Sequence, residues 1–193
     1  MTVPISGERL NTVSLELAIL GFLGEQPRTG YDLKTRCFAS PVTAFWGADQ
    51  AQIYRTLDRL GDAKLIVSKV RRQAGKPNRK VYETTHAGRE MLGEMLASTT
   101  PLPPLRDPFL LQLYFAHRLN DEALIDVLSA RRKAHQQRLE ELRALSAEVA
   151  RDHSLNARDA VLRQTAIDGA MVQQRAVIDW LEDCVHAAAD GAL

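Results

Sequence analysis

The sequence predicts a mainly α-helical chain with a small β-hairpin: an N-terminal winged helix-turn-helix followed by antiparallel C-terminal helices. Three observations lead to this fold class. Apolar residues recur at helical spacing over most of the 193 residues, two short β-rich segments flank a turn near residue 76, and four of the eight prolines lie within 101–108. Because such a proline-rich segment is typical of an extended linker, we predict an N-terminal domain at 1–98, a linker at 99–108 and a helical domain at 109–193.

Two helices are predicted before residue 41. The segment 13–23, VSLELAILGFL, is apolar nearly all round, as expected of a helix that is buried on several sides. Gly24 and then Pro27 would end this helix. Thr29 is followed three residues later by Asp32, and this capping-box spacing predicts the start of a second, short helix.

A third helix is predicted to begin at Asp49, because Asp49 and Gln52 again have the spacing of a capping box. Gly61 fits the C-terminus of this helix. Apolar residues at spacings of four and three indicate its buried face: Ile53, Leu57 and Leu60. The other face carries long side chains, as expected of an exposed helical surface: Gln50, Gln52, Tyr54, Arg55 and Arg59.

A basic hairpin is predicted next. The segments LIVSKV and KVYETT indicate two strands joined by a turn that contains glycine and proline, and Thr85 can cap the helix that follows. Residues 48–80 hold nine Lys or Arg and three acids, a net charge of +6, whereas the whole chain carries +1. This segregation suggests a local site for a polyanion. A solvated strand edge that resists aggregation is the alternative.

Three helices followed by a basic hairpin is the order of elements in a winged helix-turn-helix. A helix about 10 Å across fits the major groove of B-DNA, where Gln suits adenine and Arg suits guanine or phosphate. The hairpin would neutralise phosphates without reading sequence. For Tyr31 and Tyr54, a core position with the hydroxyl at the surface is the alternative to phosphate contact. The residues predicted to contact double-stranded DNA are Thr29, Tyr31, Gln50, Gln52, Tyr54, Arg55, Arg59, Lys69, Arg71, Arg72, Lys76, Arg79 and Lys80.

The C-terminal half is predicted to be helical throughout. Asp107 followed by Pro108 is typical of an N-cap and a first helical residue, and two long helices are predicted at about 121–150 and 157–189. Helices of this length reach about 45 Å, and their apolar stripes are too long for the rest of the domain to cover. We therefore predict a homodimer. Its interface is predicted to include Leu124, Leu128, Leu139, Leu142, Ile167, Met171, Ile178 and Leu181.

The N-terminal half also carries a family resemblance. The runs LAILGFLGEQPRTGYDL and AQIYRTLDRLGDAKLI and a basic hairpin ending RKVYETTHAGREML closely resemble the PadR family of transcriptional regulators over residues 13–98. The Gly-Tyr-(Asp/Glu)-Leu element of the family matches residues 30–33, its Ile-Tyr-x-x-Leu element matches 53–57, and its Tyr-x-(Leu/Ile/Glu)-Thr-x-x-Gly element matches 82–88. The C-terminal half resembles the longer-tailed members, whose helices form the homodimer.

The resemblance implies a transcriptional repressor that is often released from DNA when a phenolic or other planar small molecule binds. The two-fold symmetry of the predicted homodimer would separately require a roughly palindromic operator. Many relatives carry Pro where this chain has Arg55 and Ser where it has Ala51, so the preferred operator is expected to differ. The effector stays unassigned. Six aromatic residues could line a pocket for a small aromatic effector, although core positions are the alternative: Phe45, Trp46, Phe109, Tyr114, Phe115 and Trp180.

Other classes of protein are disfavoured. No apolar run approaches the roughly 18 residues of a membrane span and the N-terminus lacks an export pattern, so a cytoplasmic, nucleoid-associated protein is expected. Cys37 and Cys184 are interpreted as small apolar residues, the histidines lack metal-ligand spacing, and no catalytic motif is present, so neither a metal, a cofactor nor an enzyme is expected. A winged helix used for protein or RNA contact is the remaining alternative.

Overall fold

A computed structural model describes residues 7–39, 41–73, 76–99, 102 and 104–192, and of residues 7–14, 44, 72, 73 and 76–78 it describes the backbone alone. The chain divides into two compact units, Met1–Pro104 and Leu105–Leu193, so the division falls in the proline-rich segment. The finer division, with a linker at 99–108, stays a prediction. The fold class is confirmed, because the chain is mostly helical with one small antiparallel sheet.

The first unit has the element order of a winged helix-turn-helix. Its elements are helix α1 (Gly7–Glu25), strand β1 (Arg28–Thr29), helix α2 (Gly30–Asp32) with a π-helical continuation (Leu33–Cys37), a 3-10 turn (Pro41–Ala44), helix α3 (Gln50–Asp62), strands β2 (Ile66–Gln73) and β3 (Lys76–Thr84), and helix α4 (His86–Ala97).

Both predicted capping boxes are confirmed, and they define where α2 and α3 begin. The Asp32 amide donates to Thr29 Oγ1 at 3.0 Å while the Thr29 amide donates to Asp32 Oδ2 at 3.2 Å. At α3, the Gln52 amide donates to Asp49 Oδ1 at 2.8 Å and the Asp49 amide donates to Gln52 Oε1 at 3.0 Å. Each box satisfies two backbone N–H groups that a helix N-terminus would otherwise leave without a partner.

The core of the first unit lies between α1, α2 and α3, with β3 and α4 closing it. The apolar face predicted for α3 is fully buried there. Helix α1 also packs against α4 and β3, which explains why its sequence is apolar on several sides. The side chains that are most completely buried in this unit are Ile19, Leu20, Leu23, Leu33, Ile53, Leu57 and Leu60.

The sheet has three strands in the order β1, β3, β2, and all pairs are antiparallel. Strand β1 was not predicted, because two residues are too few to show a strand pattern. In the hairpin, Ser68 pairs with Tyr82, and a register irregularity follows between Arg71 and Gln73. Since residues directly opposite each other share a face, this register decides which basic side chains lie together.

Helix α3 ends differently from the prediction. Gly61 lies inside its last turn, and the residue that takes the left-handed conformation is Lys64, with φ of 58°. The Leu65 amide donates to the Leu60 carbonyl at 2.9 Å and the Lys64 amide donates to the Gly61 carbonyl at 2.9 Å. These two hydrogen bonds form a Schellman motif, which turns the chain from α3 directly into β2.

Helix α4 is fixed to the start of β2 by the predicted cap. The Gly88 amide donates to Thr85 Oγ1 at 3.0 Å, and the Thr85 hydroxyl lies 2.9 Å from the Lys64 carbonyl oxygen and 3.1 Å from that of Leu65. A Cβ atom at Gly88 would lie 2.0 Å from the Leu65 carbonyl oxygen. The Thr-x-x-Gly spacing therefore reflects close backbone packing.

The second unit is a long antiparallel helical hairpin preceded by a short helix. Asp107 caps the short helix through the Phe109 amide at 2.8 Å, with proline in the first turn, as predicted. The elements are helix α5 (Pro108–Tyr114), a 3-10 turn (Ala116–Arg118), helix α6 (Asp121–Arg151) and helix α7 (Ala157–Ala189). Both long helices match their predicted ranges to within one residue.

The apolar stripes of α6 and α7 pack on each other within one chain. His135 Nδ1 lies 2.7 Å from Gln174 Oε1, and Gln164 Nε2 donates to Ser146 Oγ at 2.7 Å. Because the helices cover each other, their burial gives no support to the predicted dimer contacts, which stay a prediction. Of the eight residues predicted at the dimer interface, Leu124 is partly buried within the single chain. The other seven are buried in it: Leu128, Leu139, Leu142, Ile167, Met171, Ile178 and Leu181.

The aromatic residues named from the sequence divide between core and surface. Phe109 is buried, with Trp180 packed edge-on at 6.4 Å between ring centroids and the Arg131 guanidinium 4.9 Å from its ring centroid. Trp46 packs against the core of the first unit. The others are exposed: Phe45, Tyr114 and Phe115. The burial of Phe109 and the partial burial of Trp46 favour the core interpretation for these two residues.

Candidate nucleic-acid interface

The exposed face of α3 carries the side chains that were predicted to read DNA. Gln50, Gln52, Tyr54, Arg55 and Arg59 are all exposed, while the opposite face of the helix is buried. The structure therefore presents a polar helical surface to solvent. These side chains differ, however, in their hydrogen bonds and ion pairs within the protein. Those contacts decide which donor and acceptor atoms are available to a ligand.

Arg55 is the most available cation on α3. Within the described ranges it forms no ion pair and no side-chain hydrogen bond. Its five N–H donors are therefore free to contact a base edge or a phosphate.

Gln52 is only partly available. Its Oε1 accepts the Asp49 amide in the capping box, so the orientation of the side chain is fixed and the NH₂ group is the part that is free of a partner among the described residues. A bidentate contact to adenine needs both the carbonyl and the NH₂ group of the side chain. Such a contact by Gln52 would have to share Oε1 with the capping box, whereas Gln50, the first residue of α3, has no role in the box.

Arg59 is held by α1. Its Nε donates to Glu16 Oε1 at 2.6 Å, and its Nη2 donates to Thr56 Oγ1 at 3.4 Å. Its side chain is 47% exposed and that of Glu16 is 23% exposed. Glu16 was not predicted to take part, because nothing in the sequence relates a carboxylate on α1 to an arginine 43 residues later.

The two tyrosines of the family motifs have different environments. Tyr31 is 68% exposed, so a core position is excluded. Tyr54 is 38% exposed, and its ring lies against the backbone of Gly30, at the start of α2. Tyr54 also lies near enough to Tyr82 of β3 to contribute to the raised pKa of the Tyr82 phenol, although burial is the largest cause. Tyr54 thus lies where α2, α3 and β3 meet.

The start of α3 is tied to α2 by a second contact that the sequence did not reveal. Lys34 Nζ donates to the carbonyl oxygen of Ala48 at 3.1 Å, immediately before the N-cap Asp49. Thr29 and Asp32 are likewise engaged with each other, and the hydrogen bond from Thr29 is the largest cause of a lowered pKa at the Asp32 carboxyl. The hydroxyl of Thr29 is therefore engaged as the N-cap of α2.

The basic residues of the hairpin lie on two faces. Lys80 shares the face of Tyr82, with its Nζ 5.2 Å from the centroid of that ring. The opposite face holds Lys69, Arg71 and Arg79, all exposed. The side chains of Arg72 and Lys76, also predicted to contact DNA, lie outside the described residues.

Lys69 is partly neutralised. Its Nζ donates to Glu83 Oε2 at 3.1 Å, with the side chains 77% and 45% exposed. Arg71 and Arg79 are direct cross-strand partners with no acid between them. Among the described side chains of this face, Arg71 and Arg79 are therefore more available to an anion than Lys69.

The described residues form neither a metal-binding cluster nor a membrane-spanning helix. In the part of the chain that the structure describes, no three His, Cys, Asp or Glu side chains are grouped so as to hold a metal ion. No described helix combines the length and the apolar character needed to cross a bilayer.

Comparison with known proteins gives matches along both units. Residues 19–94 match the transcriptional regulator PadR-like family, and residues 105–188 match the virulence activator alpha C-term family. The negative transcriptional regulator PadR of Bacillus subtilis (strain 168) is 32% identical over 129 residues, which are 66% of this chain and 70% of that protein.

Two solved structures of Bacillus subtilis PadR are similar over nearly the whole chain. The complex with operator DNA superposes with a TM-score of 0.77 at 27% identity, covering 91% of this chain and 99% of that chain. The complex with p-coumaric acid gives a TM-score of 0.76 at 26% identity, covering 91% and 98%.

Proposed function

Because the chain belongs to the PadR-like family of transcriptional regulators, which are not enzymes, we propose that it binds operator DNA in a sequence-specific manner and represses transcription. The observation that carries this proposal is the exposed face of α3 beside a basic hairpin, with an Arg55 that pairs with no described residue. Helix α3 enters the major groove and the hairpin lies along the phosphate backbone. Domain 1–98 binds DNA, and the protein acts in the cytoplasm on the nucleoid.

Two findings support repression that is relieved by a small aromatic molecule. The 32% identical relative is named a negative regulator, and a similar solved structure contains p-coumaric acid. The match of residues 105–188 to a family named for a virulence activator favours activation of transcription instead of repression. A reporter placed behind the selected operator distinguishes the two, because deletion of a repressor raises expression and deletion of an activator lowers it.

A homodimer is part of the proposal, and the outer face of α7 is its best candidate contact. By the 3.6-residue repeat, one stripe lies opposite the face that packs on α6. Its middle carries small or apolar, exposed residues, Leu162, Gly169, Val172 and Ala176, with the polar Thr165 among them and Arg158 and Asp183 toward its two ends. A second copy packed there would bury this stripe. Two-fold symmetry would then require a pseudo-palindromic operator with half-sites about 34 Å apart, or a multiple of that distance.

Selection of duplexes from a random pool by the full chain tests the proposal. We expect recovered sequences to share a pseudo-palindrome and to bind with a log K that falls by about 0.9 per phosphate contact for each decade of salt. The selection is repeated with p-coumaric acid and with other aromatic carboxylates. Two outcomes would favour a winged helix used for RNA or protein contact instead. One is that the recovered duplexes share no sequence, and the other is tight binding of RNA or protein together with a duplex affinity that does not change with salt.

A further inference from the structure

Two arginines face each other across the hairpin. Arg71 of β2 and Arg79 of β3 are paired residues in the antiparallel ladder. Directly opposed residues project from the same face with Cβ atoms about 5 Å apart. Both side chains are exposed, and neither forms an ion pair with a described residue.

This arrangement is unfavourable in the free protein. Like charges directly opposite each other on a sheet destabilise the pair. The nearest pair on the same face is Lys69 and Val81, which adds a third cation, and Glu83 is already engaged by Lys69. Asp32 of α2 is close enough to Arg79 for its pKa to be lowered slightly by that charge, but it is committed to Thr29 and lies 3.8 Å from Arg36. No described acid therefore forms an ion pair with either guanidinium group, and the distant charge of Asp32 compensates Arg79 only weakly.

The ladder also changes register beside this pair. Between the pairs Arg71 with Arg79 and Gln73 with Lys76, β2 advances by two residues and β3 by three. Such bulges bend a strand and re-aim side chains, and they are common next to functional sites. The irregularity is a second feature of this part of the hairpin, and it does not depend on charge.

We propose that Arg71 and Arg79 form a clamp for one phosphate group, with both guanidinium groups donating to oxygens of the same phosphate. The proposal rests on the proposed function and identifies the phosphate of the DNA backbone as the ligand. One phosphate between the two cations replaces their repulsion with two charge-assisted contacts. The clamp fixes the hairpin on the backbone without reading a base.

A double-mutant cycle on the full chain tests the clamp. The variants are Arg71→Gln, Arg79→Gln and the double variant, each measured for duplex affinity between low and moderate salt. Each single variant is expected to lose affinity on the order of tenfold. The double variant should lose much less than the product of the two losses, because removing either arginine also removes the repulsion that binding relieves.

The salt dependence gives an independent count of phosphates. For one shared phosphate, the double variant should change the slope of log K against log salt by about 0.9 in total, whereas two separate phosphates predict about 1.8. Arg55→Gln combined with Arg79→Gln is the matched control, because these residues lie on different elements and their losses should multiply.

The DNA-free chain supplies a second readout. Either single variant should raise the unfolding midpoint at low salt, and the gain should vanish near 1 M salt, where charges are screened within about 3 Å. Lys69→Gln removes the same charge but breaks an attractive pair with Glu83, so it should give no such gain.

The clamp would be overturned if the affinity losses of the two single variants multiplied and the salt slope changed by about 1.8. It would also be overturned if either single variant lowered the unfolding midpoint of the DNA-free chain. Both outcomes leave the proposed function intact. Absence of duplex binding by the unaltered chain would overturn both.

Discussion

The ring of Tyr54 lies directly against the backbone of Gly30. A Cβ atom at residue 30 would lie 2.7 Å from Cε1 and Cζ of that ring and 2.9 Å from its hydroxyl oxygen. Gly30 begins α2, and Tyr54 lies on α3, so this contact sets the distance between the two helices. It also connects two family motifs, Gly-Tyr-Asp-Leu and Ile-Tyr-x-x-Leu, through one physical requirement: the ring needs a residue without a side chain beneath it.

Gly30→Ala is expected to destabilise the protein, because the added methyl group overlaps the ring and Tyr54 has to move. Overpacking of this kind costs about 1–3 kcal/mol, which urea denaturation would detect as a lowered midpoint. Gly21→Ala is the matched control. Gly21 lies in α1 with open space around a built Cβ, so alanine there should stabilise by about 0.5–1 kcal/mol.

A second background shows whether the ring of Tyr54 causes the loss of stability in Gly30→Ala, or whether any side chain at residue 30 would cause it. In the background Tyr54→Ala, Gly30→Ala should cost much less, because the ring that it meets is gone. An equal cost in both backgrounds would mean that the contact does not explain the glycine.

Lys64→Gly is expected to stabilise the protein by roughly 0.5–1 kcal/mol, because Lys64 holds a left-handed conformation that glycine adopts without strain. Lys64→Ala removes the same charge but keeps a Cβ, so it should give no gain. Ala63→Gly, next to it in the right-handed conformation, should destabilise. The urea midpoints of these three variants together test the Schellman motif. If Lys64→Ala raised the midpoint as much as Lys64→Gly, the stabilisation would come from loss of the charge and not from relief of backbone strain.

The features that sequence predicted well are local. Capping boxes at Thr29 and Asp49, the cap at Thr85 and the ends of α6 and α7 depend on residues three or four positions apart. The features that it missed depend on contacts between distant parts of the chain. Strand β1 exists only because β3 lies beside it, and the ion pair of Arg59 joins residues 43 positions apart.

The same distinction applies to the predicted site residues, whose contacts with DNA stay predictions. Exposure of the polar face of α3 follows from its helical period and is confirmed. Whether a side chain on that face is free depends on its neighbours, which is why Arg55 and Arg59 look alike in the sequence and differ in the fold. Periodicity predicts the two apolar stripes, but it does not tell a partner helix in the same chain from one in a second chain.

Arg55 and Arg59 are therefore expected to respond differently to substitution. Arg55→Met should weaken operator binding by about 1–3 kcal/mol and relax base preference, because an unpaired guanidinium on the exposed face of α3 is lost. Arg59→Met should leave the salt slope unchanged and lower the free energy of unfolding by under about 1 kcal/mol, since it breaks a partly exposed ion pair with Glu16.

Glu16→Gln provides the control for this comparison, because it releases Arg59 without removing it. If Arg59 contacts phosphate only when Glu16 is absent, Glu16→Gln should steepen the salt slope and Arg59→Met should not flatten it. A flatter slope for Arg59→Met in the otherwise unaltered chain would show that Arg59 contacts phosphate despite Glu16.

Gly169→Arg is expected to turn a dimer into a monomer. A Cβ at Gly169 meets nothing within 4 Å in the single chain, and arginine is the better helix former by about 0.8 kcal/mol, so the folded monomer should be as stable or more stable. A long charged side chain in the middle of the outer stripe of α7 would, however, prevent a second copy from packing there. Sedimentation velocity at micromolar concentration measures the change.

Gly93→Arg makes the same substitution on α4, where the space around a built Cβ is also open, and it should leave the dimer intact. Because a pseudo-palindromic operator needs two linked copies, Gly169→Arg should also weaken binding to the full operator far more than binding to a half-site. A Gly169→Arg protein that sediments as a dimer and binds the full operator normally would place the dimer contact elsewhere than the outer face of α7.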